Sequence, residues 1–208
     1  MQYKKLPKVM WLVFENSFKR ELYRMSDESP KKIMKSAKER YKEILKMIPE
    51  FEKDDRFKMN ILSAAMLASV YIELSIKPEL KNVENFYHHA MTDNLVMRLF
   101  LKKKNNYTSK AQKKLKQGAI DSVERIKKNP YTWCYTYEKE GKNSYSAIFT
   151  ACGIKHLFET LDISEITPAM CTYDYDMAEL AGSIFTRKNT LASGGDCCDC
   201  HYKKKEGN

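Results

Sequence analysis

The sequence predicts an α+β fold, helical to about residue 128 and closing in a small antiparallel sheet. Three observations carry this. Apolar residues recur near a 3.6-residue period up to Lys127, Asn129-Pro130 interrupts that rhythm, and the chain beyond it alternates with a period of two around glycine-bearing turns. At 208 residues and 43% apolar, the chain suits one domain, with a helical part over 1–128 and a ββααββ part over 129–208.

The first helix is expected from Lys8 to Met25, where Met10, Leu12, Val13, Phe14, Phe18 and Leu22 keep the helical spacing. Ser29-Pro30, a capping residue followed by proline, opens a second that runs to about Ile48. The third, Arg56 to Ile76, is the most apolar stretch and reads as the buried centre of the bundle. A fourth is expected over Val83 to Leu101, and a strongly basic fifth from Ser109 to Lys127. After Pro130, YTWCYTYEKEGKNSYSAIFTA reads as a hairpin turning at Glu140 to Asn143. CGIKHLFETL and TPAMCTYDYDMAELAG read as two helices, and SIFTRKNTLASGGDCCDCHYKKK as a second hairpin turning at Ser193 to Asp196.

The 37 Lys and Arg against 27 Asp and Glu leave a formal charge of +10, which suits an anionic partner. The lysines fall in short scattered runs with no helix-turn-helix, RNA-recognition or zinc-finger pattern. A solvated basic surface and a small-molecule ligand are therefore expected, with no nucleic-acid partner. No run of 18 apolar residues exists to span a bilayer, so no membrane partner is expected either. The opening Met1 to Lys5 leads into an amphipathic stretch broken by Glu15, Lys19 and Arg20, unlike a secretory leader. A cytoplasmic location is the expectation, in which the six cysteines stay thiols. Oligomeric state is left open, with a homodimer as one form.

All six cysteines, Cys134, Cys152, Cys171, Cys197, Cys198 and Cys200, lie in the last 75 residues. Strand alternation sends Cys198 and Cys200 to one face and Cys197, Asp199 and His201 to the other, a poor cage for a metal. No cofactor is expected; zinc, the metal such a cluster would take, would need Cys171 or Cys152 to complete its shell. If Thr167 caps a helix with Pro168 at its first position, Cys171 sits in the first turn, where free amides favour a thiolate, and Cys152 stands at a similar junction. Asp174 and Tyr175, three and four residues beyond Cys171, should share its face and could act as proton carrier and orienting group. Set against this, buried cysteines commonly pack as small hydrophobes. Arg187 is the candidate for a bidentate hold on a substrate carboxylate. His88 and His89, adjacent on a helix, should face apart as an exposed pair, and His156 reads as a surface residue.

The order Cys152, Cys171 and Asp174 in CTYDYDMAE, then FTRKNTLASGGDCCDCHY, resembles the L-2-amino-thiazoline-4-carboxylic acid hydrolase family. Phe185, Arg187, Thr190, Leu191, Gly194, Gly195, Cys198 and Asp199 carry the likeness, strongest over roughly 130 to 202; Cys200 departs from it, since an aromatic residue is expected there. The resemblance implies hydrolytic opening of a 2-amino-thiazoline carboxylate to an N-carbamoyl cysteine. In that reading Cys171 or Cys152 is nucleophile or acid, Asp174 handles water or a proton, and Arg187 holds the carboxylate. Cys198 and Asp199 line the pocket, joined by Thr190 and Tyr175. A non-catalytic small-molecule or metal-binding sensor of the same shape is the alternative.

Overall fold

The computed structural model describes residues 5–206; the basic lead Met1 to Lys4 lies outside them. The chain is α+β, with eight α-helices and one four-stranded sheet among these residues. In chain order come α1 Leu6–Met25, α2 Pro30–Met47, α3 Lys58–Glu73, α4 Leu80–Thr92, α5 Leu95–Lys102 and α6 Ser109–Lys128. There follow β1 Cys134–Glu138, β2 Ser144–Ala151, α7 Gly153–Thr160, α8 Thr167–Leu180, β3 Ser183–Thr186 and β4 Cys198–Lys204.

The centre of the bundle is where the sequence places it: every residue of α3 from Ile61 to Tyr71 is buried. A helix with no polar face has nowhere to sit but the middle, and α2, α1 and α7 pack around it. The main apolar cluster runs on past Pro130 through Tyr131, Trp133, Ile154, Leu157, Phe158 and Tyr173, so the helical and sheet parts share one core. Asp55 clamps them: Thr132 Oγ1 donates to its carboxylate at 2.6 Å, and Phe57 N–H to its other oxygen at 2.8 Å.

The sheet order is β1-β2-β4-β3, all antiparallel, so the two expected hairpins join through their second strands. The expected fourth helix is two, α4 and α5. Asn94 ends the first and caps the second: its side chain accepts Met97 N–H at 3.1 Å and donates to Val13 O of α1 at 2.9 Å. The second hairpin turns more widely than Ser193 to Asp196. Its strands stop at Thr186 and resume at Cys198, because side chains hold open a larger loop. Thr190 Oγ1 caps a short 3₁₀ turn at Leu191–Ser193, Gly194 turns back at φ 82°, and the Asp199 carboxylate accepts the amides of Lys188 at 3.0 Å and Asn189 at 2.6 Å. Gly153, at the start of α7, is required by proximity: a Cβ there would lie 1.8 Å from Tyr131 O.

Candidate functional site

The side chains that alternate onto the inner face of the sheet meet one stripe of α8. From β2 come Tyr145, Ala147 and Phe149, and opposite them on β4 stand Tyr202, Cys200 and Cys198. From α8 come Met170, Cys171, Asp174, Met177 and Ala178, residues spaced at three and four along one helical face. Between the two layers lies a partly open cavity of about 190 Å³, lined on its remaining sides by Cys152, Thr167, Phe57, Trp133 and Arg187, with Arg56 and Lys104 also on its wall. Trp133 stacks on Phe57 with ring centres 4.6 Å apart, which keeps that wall firm.

Cys152, Cys171, Asp174, Arg187 and Cys198, far apart in sequence, thus share one cavity with Cys200. At its floor Arg187, 5% exposed, donates from Nη1 to Asp174 Oδ2 at 2.8 Å and from Nη2 to Cys171 O at 2.9 Å. The rings of Phe185 and Tyr175 lie against its guanidinium at 5.3 and 5.7 Å. The fork expected to be free for a substrate carboxylate is therefore engaged. Arg187 serves the cavity as the partner of Asp174, whose carboxylate keeps 31% exposure although it lies deep in the protein, the exposure that lining a cavity gives.

Three of the expected site residues lie elsewhere. Asp199 projects from the far side of β4 and supports the loop, as alternation requires; its acceptor bonds hold its carboxyl below the usual range. Thr190 caps the 3₁₀ turn. Tyr175 is 44% exposed, because the cavity stripe of α8 centres near Asp174 and leaves Tyr175 beyond its edge, where its hydroxyl donates to Arg187 O at 3.4 Å. The histidines do not enter the cavity. His88 pairs with Asp176 at 2.7 Å and its ring meets that of His89 at 4.8 Å, so the two do not simply face apart. His156 packs edge-on against Tyr131. His201 faces outward to Glu140 at 2.8 Å, and among the described residues no three His, Cys, Asp or Glu side chains gather to hold a metal ion.

The expected low-pKa thiolate is overturned. A 3₁₀ turn, Ser164–Ile166, runs directly into α8, Ile166 holds the cap position, and Cys171 falls in the second turn, past the free amides. Burial pushes its thiol far up and Asp174 pushes it further, against the pull of Arg187. At Cys152 burial also wins, over the helix amides of Lys155 and Ile154, and raises the thiol to about 11. Cys200 goes to about 12 by burial and then by Asp174, and Cys198 rises by burial against the Leu191 amide, which donates to its sulfur at 3.3 Å. Burial likewise raises Asp174, although Arg187 and then Lys104 pull it down. These are neutral thiols around a carboxylate whose proton affinity is increased.

Sequence reasoning missed Arg56, Lys104, Thr167 and Tyr202 on the cavity wall. Tyr202 was readable by counting alternation two further residues from Cys200. Thr167 lines the cavity, and its Oγ1 is buried with no hydrogen-bond partner in the protein. Lys104 stands on the cavity wall as an exposed residue, so the lowering that desolvation and then the Arg56 charge exert on its amine is tempered by solvent, with Asp174 countering. No ion pair is formed by Arg56 or Lys104 among the described residues, whereas Arg187 is neutralised by Asp174.

Residues 59–202 match the family described as L-2-amino-thiazoline-4-carboxylic acid hydrolase. The chain belongs to that family. The match runs from the second residue of α3 to Tyr202 in β4 and takes in every cavity residue named here except Arg56 and Phe57, which stand just before it. No curated protein matches the chain. Among solved structures it is similar to an unliganded Fe(II) H-NOX protein variant from K. algicida, at 13% identity over 94% of this chain and 96% of that one, with a TM-score of 0.33.

Proposed function

We propose that the protein hydrolyses a small cyclic amidine bearing a carboxylate, of the 2-amino-thiazoline-4-carboxylate type, with Asp174 as the base that activates water. The observation that carries this reading is the cavity floor. A carboxylate of raised proton affinity, fixed by a buried arginine and reachable from the cavity, suits a group that takes a proton and gives it back. A volume of about 190 Å³ is smaller than a drug-sized pocket and admits one small heterocycle.

In this mechanism the ring enters as an amidinium, attracted by Asp174, while its carboxylate lies toward Arg56 and Lys104. Water oxygen bonds to the amidinium carbon as Asp174 takes a water proton. The tetrahedral species collapses to a urea with cleavage of the carbon–sulfur bond. The proton on Asp174 passes to the departing ring sulfur, and the hydroxyl proton leaves to solvent, balancing the one the amidinium brought in. The product is an N-carbamoyl cysteine with a free thiol. The four cavity cysteines stay protonated in this scheme, and their sulfur surface excludes bulk water from the ring; raised thiol pKa values argue against a thiolate nucleophile.

The test is turnover of 2-amino-thiazoline-4-carboxylate, read as new thiol and as product mass. Asp174→Asn is expected to lower kcat by at least about a hundredfold, with KM rising as well because the amidinium loses the charge that attracts it. Undiminished kcat in that variant ends the role of Asp174. Tight binding to the wild type without turnover converts the reading to a ligand-binding module, and neither binding nor turnover ends the substrate assignment.

A further inference from the structure

One surface of the helical half serves no part of this chemistry. Helix α5 buries Leu101 and half-buries Met97, while Leu95, Val96, Leu99 and Phe100, at positions i, i+1, i+4 and i+5, form one outward face; Leu95 is 67% and Phe100 58% exposed. Helix α1 adds Val9 and Leu12, both exposed. The Asn94 side chain bonds to Val13 O at 2.9 Å, which sets the start of α5 against α1 beside Leu12. The four exposed apolar side chains of α5, with Val9 and Leu12 on the helix that Asn94 ties to it, present surface that water does not favour.

The charge around it is one-sided. Along α5, from residue 94 to Lys103, the charges are Arg98, Lys102 and Lys103 with no Asp or Glu, and Asp93 just before it pairs with Arg20 at 3.5 Å. Arg98 and Lys102 stand along one border of the α5 apolar face, Lys103 follows, and all three are exposed; Lys5 and Lys8 are exposed on the α1 side. A short helix with an outward apolar face and a cationic border is the arrangement that lies in the headgroup layer of an anionic bilayer. We infer that α5, with the exposed edge of α1, is a docking surface for an anionic lipid membrane, on which the protein lies without crossing. No helix among the described residues is long and apolar enough to cross.

Two other occupants fit less well. Nucleic acid would use the lysines but leave the exposed leucines, valines and phenylalanine in water. A second copy docked symmetrically would bring two cationic borders together, at a repulsive cost.

The experiment is co-sedimentation of the full chain with vesicles of phosphatidylcholine alone and of phosphatidylcholine with about one third phosphatidylserine. Partition into the anionic vesicles is expected, at least tenfold above the neutral ones, and falling as salt is raised to about 0.5 M. Leu95→Ser/Leu99→Ser should lose most of that partition with an unchanged melting curve, since both side chains are already exposed. Arg98→Gln/Lys102→Gln should weaken it by on the order of fivefold per cation removed. No partition into anionic vesicles, or equal partition by the leucine variant, overturns the inference. So does binding of duplex DNA or RNA that the leucine variant retains, or a dimer seen by sedimentation that the same variant dissolves.

Discussion

The pair at the cavity floor makes a prediction that stability measurements can test without any substrate. In Arg187→Leu the Asp174 carboxylate loses the cation 2.8 Å away, and Cys171 O loses a donor at 2.9 Å. Removing one partner of a buried ion pair costs about 3–5 kcal/mol. Because Asp174 keeps 31% exposure, the lower end applies, about 3 kcal/mol at pH 7, or a melting point lowered by roughly 6–12 °C in a chain of this size. The pH dependence follows from the direction of the shift. Asp174 is raised above its ordinary 3.8, so its contribution is most favourable below that value and is lost as pH rises through the folded pKa. Deleting Arg187, the strongest influence lowering Asp174, raises that pKa further and enlarges the loss at neutral pH. The gap between wild type and Arg187→Leu should therefore narrow from pH 7 to a lower pH, below the folded pKa of Asp174, at which that carboxyl is protonated in both proteins. Adding Asp174→Asn to the variant should recover more than half of the loss at pH 7. Melting curves of the four proteins of this cycle at both pH values decide it. A gap that does not change with pH, or no recovery in the double variant, would refute the view that an uncompensated carboxylate is what Arg187 holds in check.

Gly153→Ala should lower stability by about 3 kcal/mol in denaturant titration, at the upper end of overpacking, because its methyl meets the Tyr131 backbone. Asn94→Ala should cost about 1 kcal/mol by the same assay through loss of the α5 cap, and more if the bond to Val13 also counts. Alkylation of Cys152, followed by mass spectrometry, should be slow at neutral pH and accelerate as pH climbs toward its raised value of about 11; fast reaction at pH 7 would contradict the buried-thiol reading. Arg56→Gln and Lys104→Gln should each weaken binding of 2-amino-thiazoline-4-carboxylate by about three- to tenfold in calorimetric titration, and leave binding of the ring without its carboxylate unchanged.

Periodicity made the α+β class, the buried α3 and the pairing of both hairpins readable, because each is written in local spacing. Alternation also separated Cys198 and Cys200 from Asp199. What escaped was written in side-chain bonds across the fold. Nothing in SIFTRKNTLASGGD announces that Asp199 and Thr190 will hold a wide loop, and an apolar period that carries on past Asn94 hides a helix end. The thiol chemistry was misjudged at Cys171 because burial between sheet and helix, which local spacing does not show, outweighs the helix start, and the 3₁₀ turn ahead of α8 moves that start one residue further away. Arg187 was found but given a free fork, since its engagement depends on Asp174 across the cavity. Arg56 and Lys104 carried no signal, one in a loop of mixed charge and one in a lysine run.

The position of β4 between β2 and β3 has a bearing on how the protein is made. A ribosome delivers β2 some fifty residues before β4, and β3 shortly before it; β2 can pair with β1 at once, but its second edge and the whole of β3 lack a partner until Cys198–Lys204 emerges. The helices can compact early on their own local contacts, while β2 and β3 wait with open edges, a state exposed to wrong pairing. Asp174 and Arg187 are synthesised into that waiting state, so the nascent chain carries its reactive pair with one wall of the cavity still missing. Arrival of the last strand inserts Cys198, Cys200 and Tyr202 opposite Phe149, Ala147 and Tyr145 in one step, and the chamber comes into being only then.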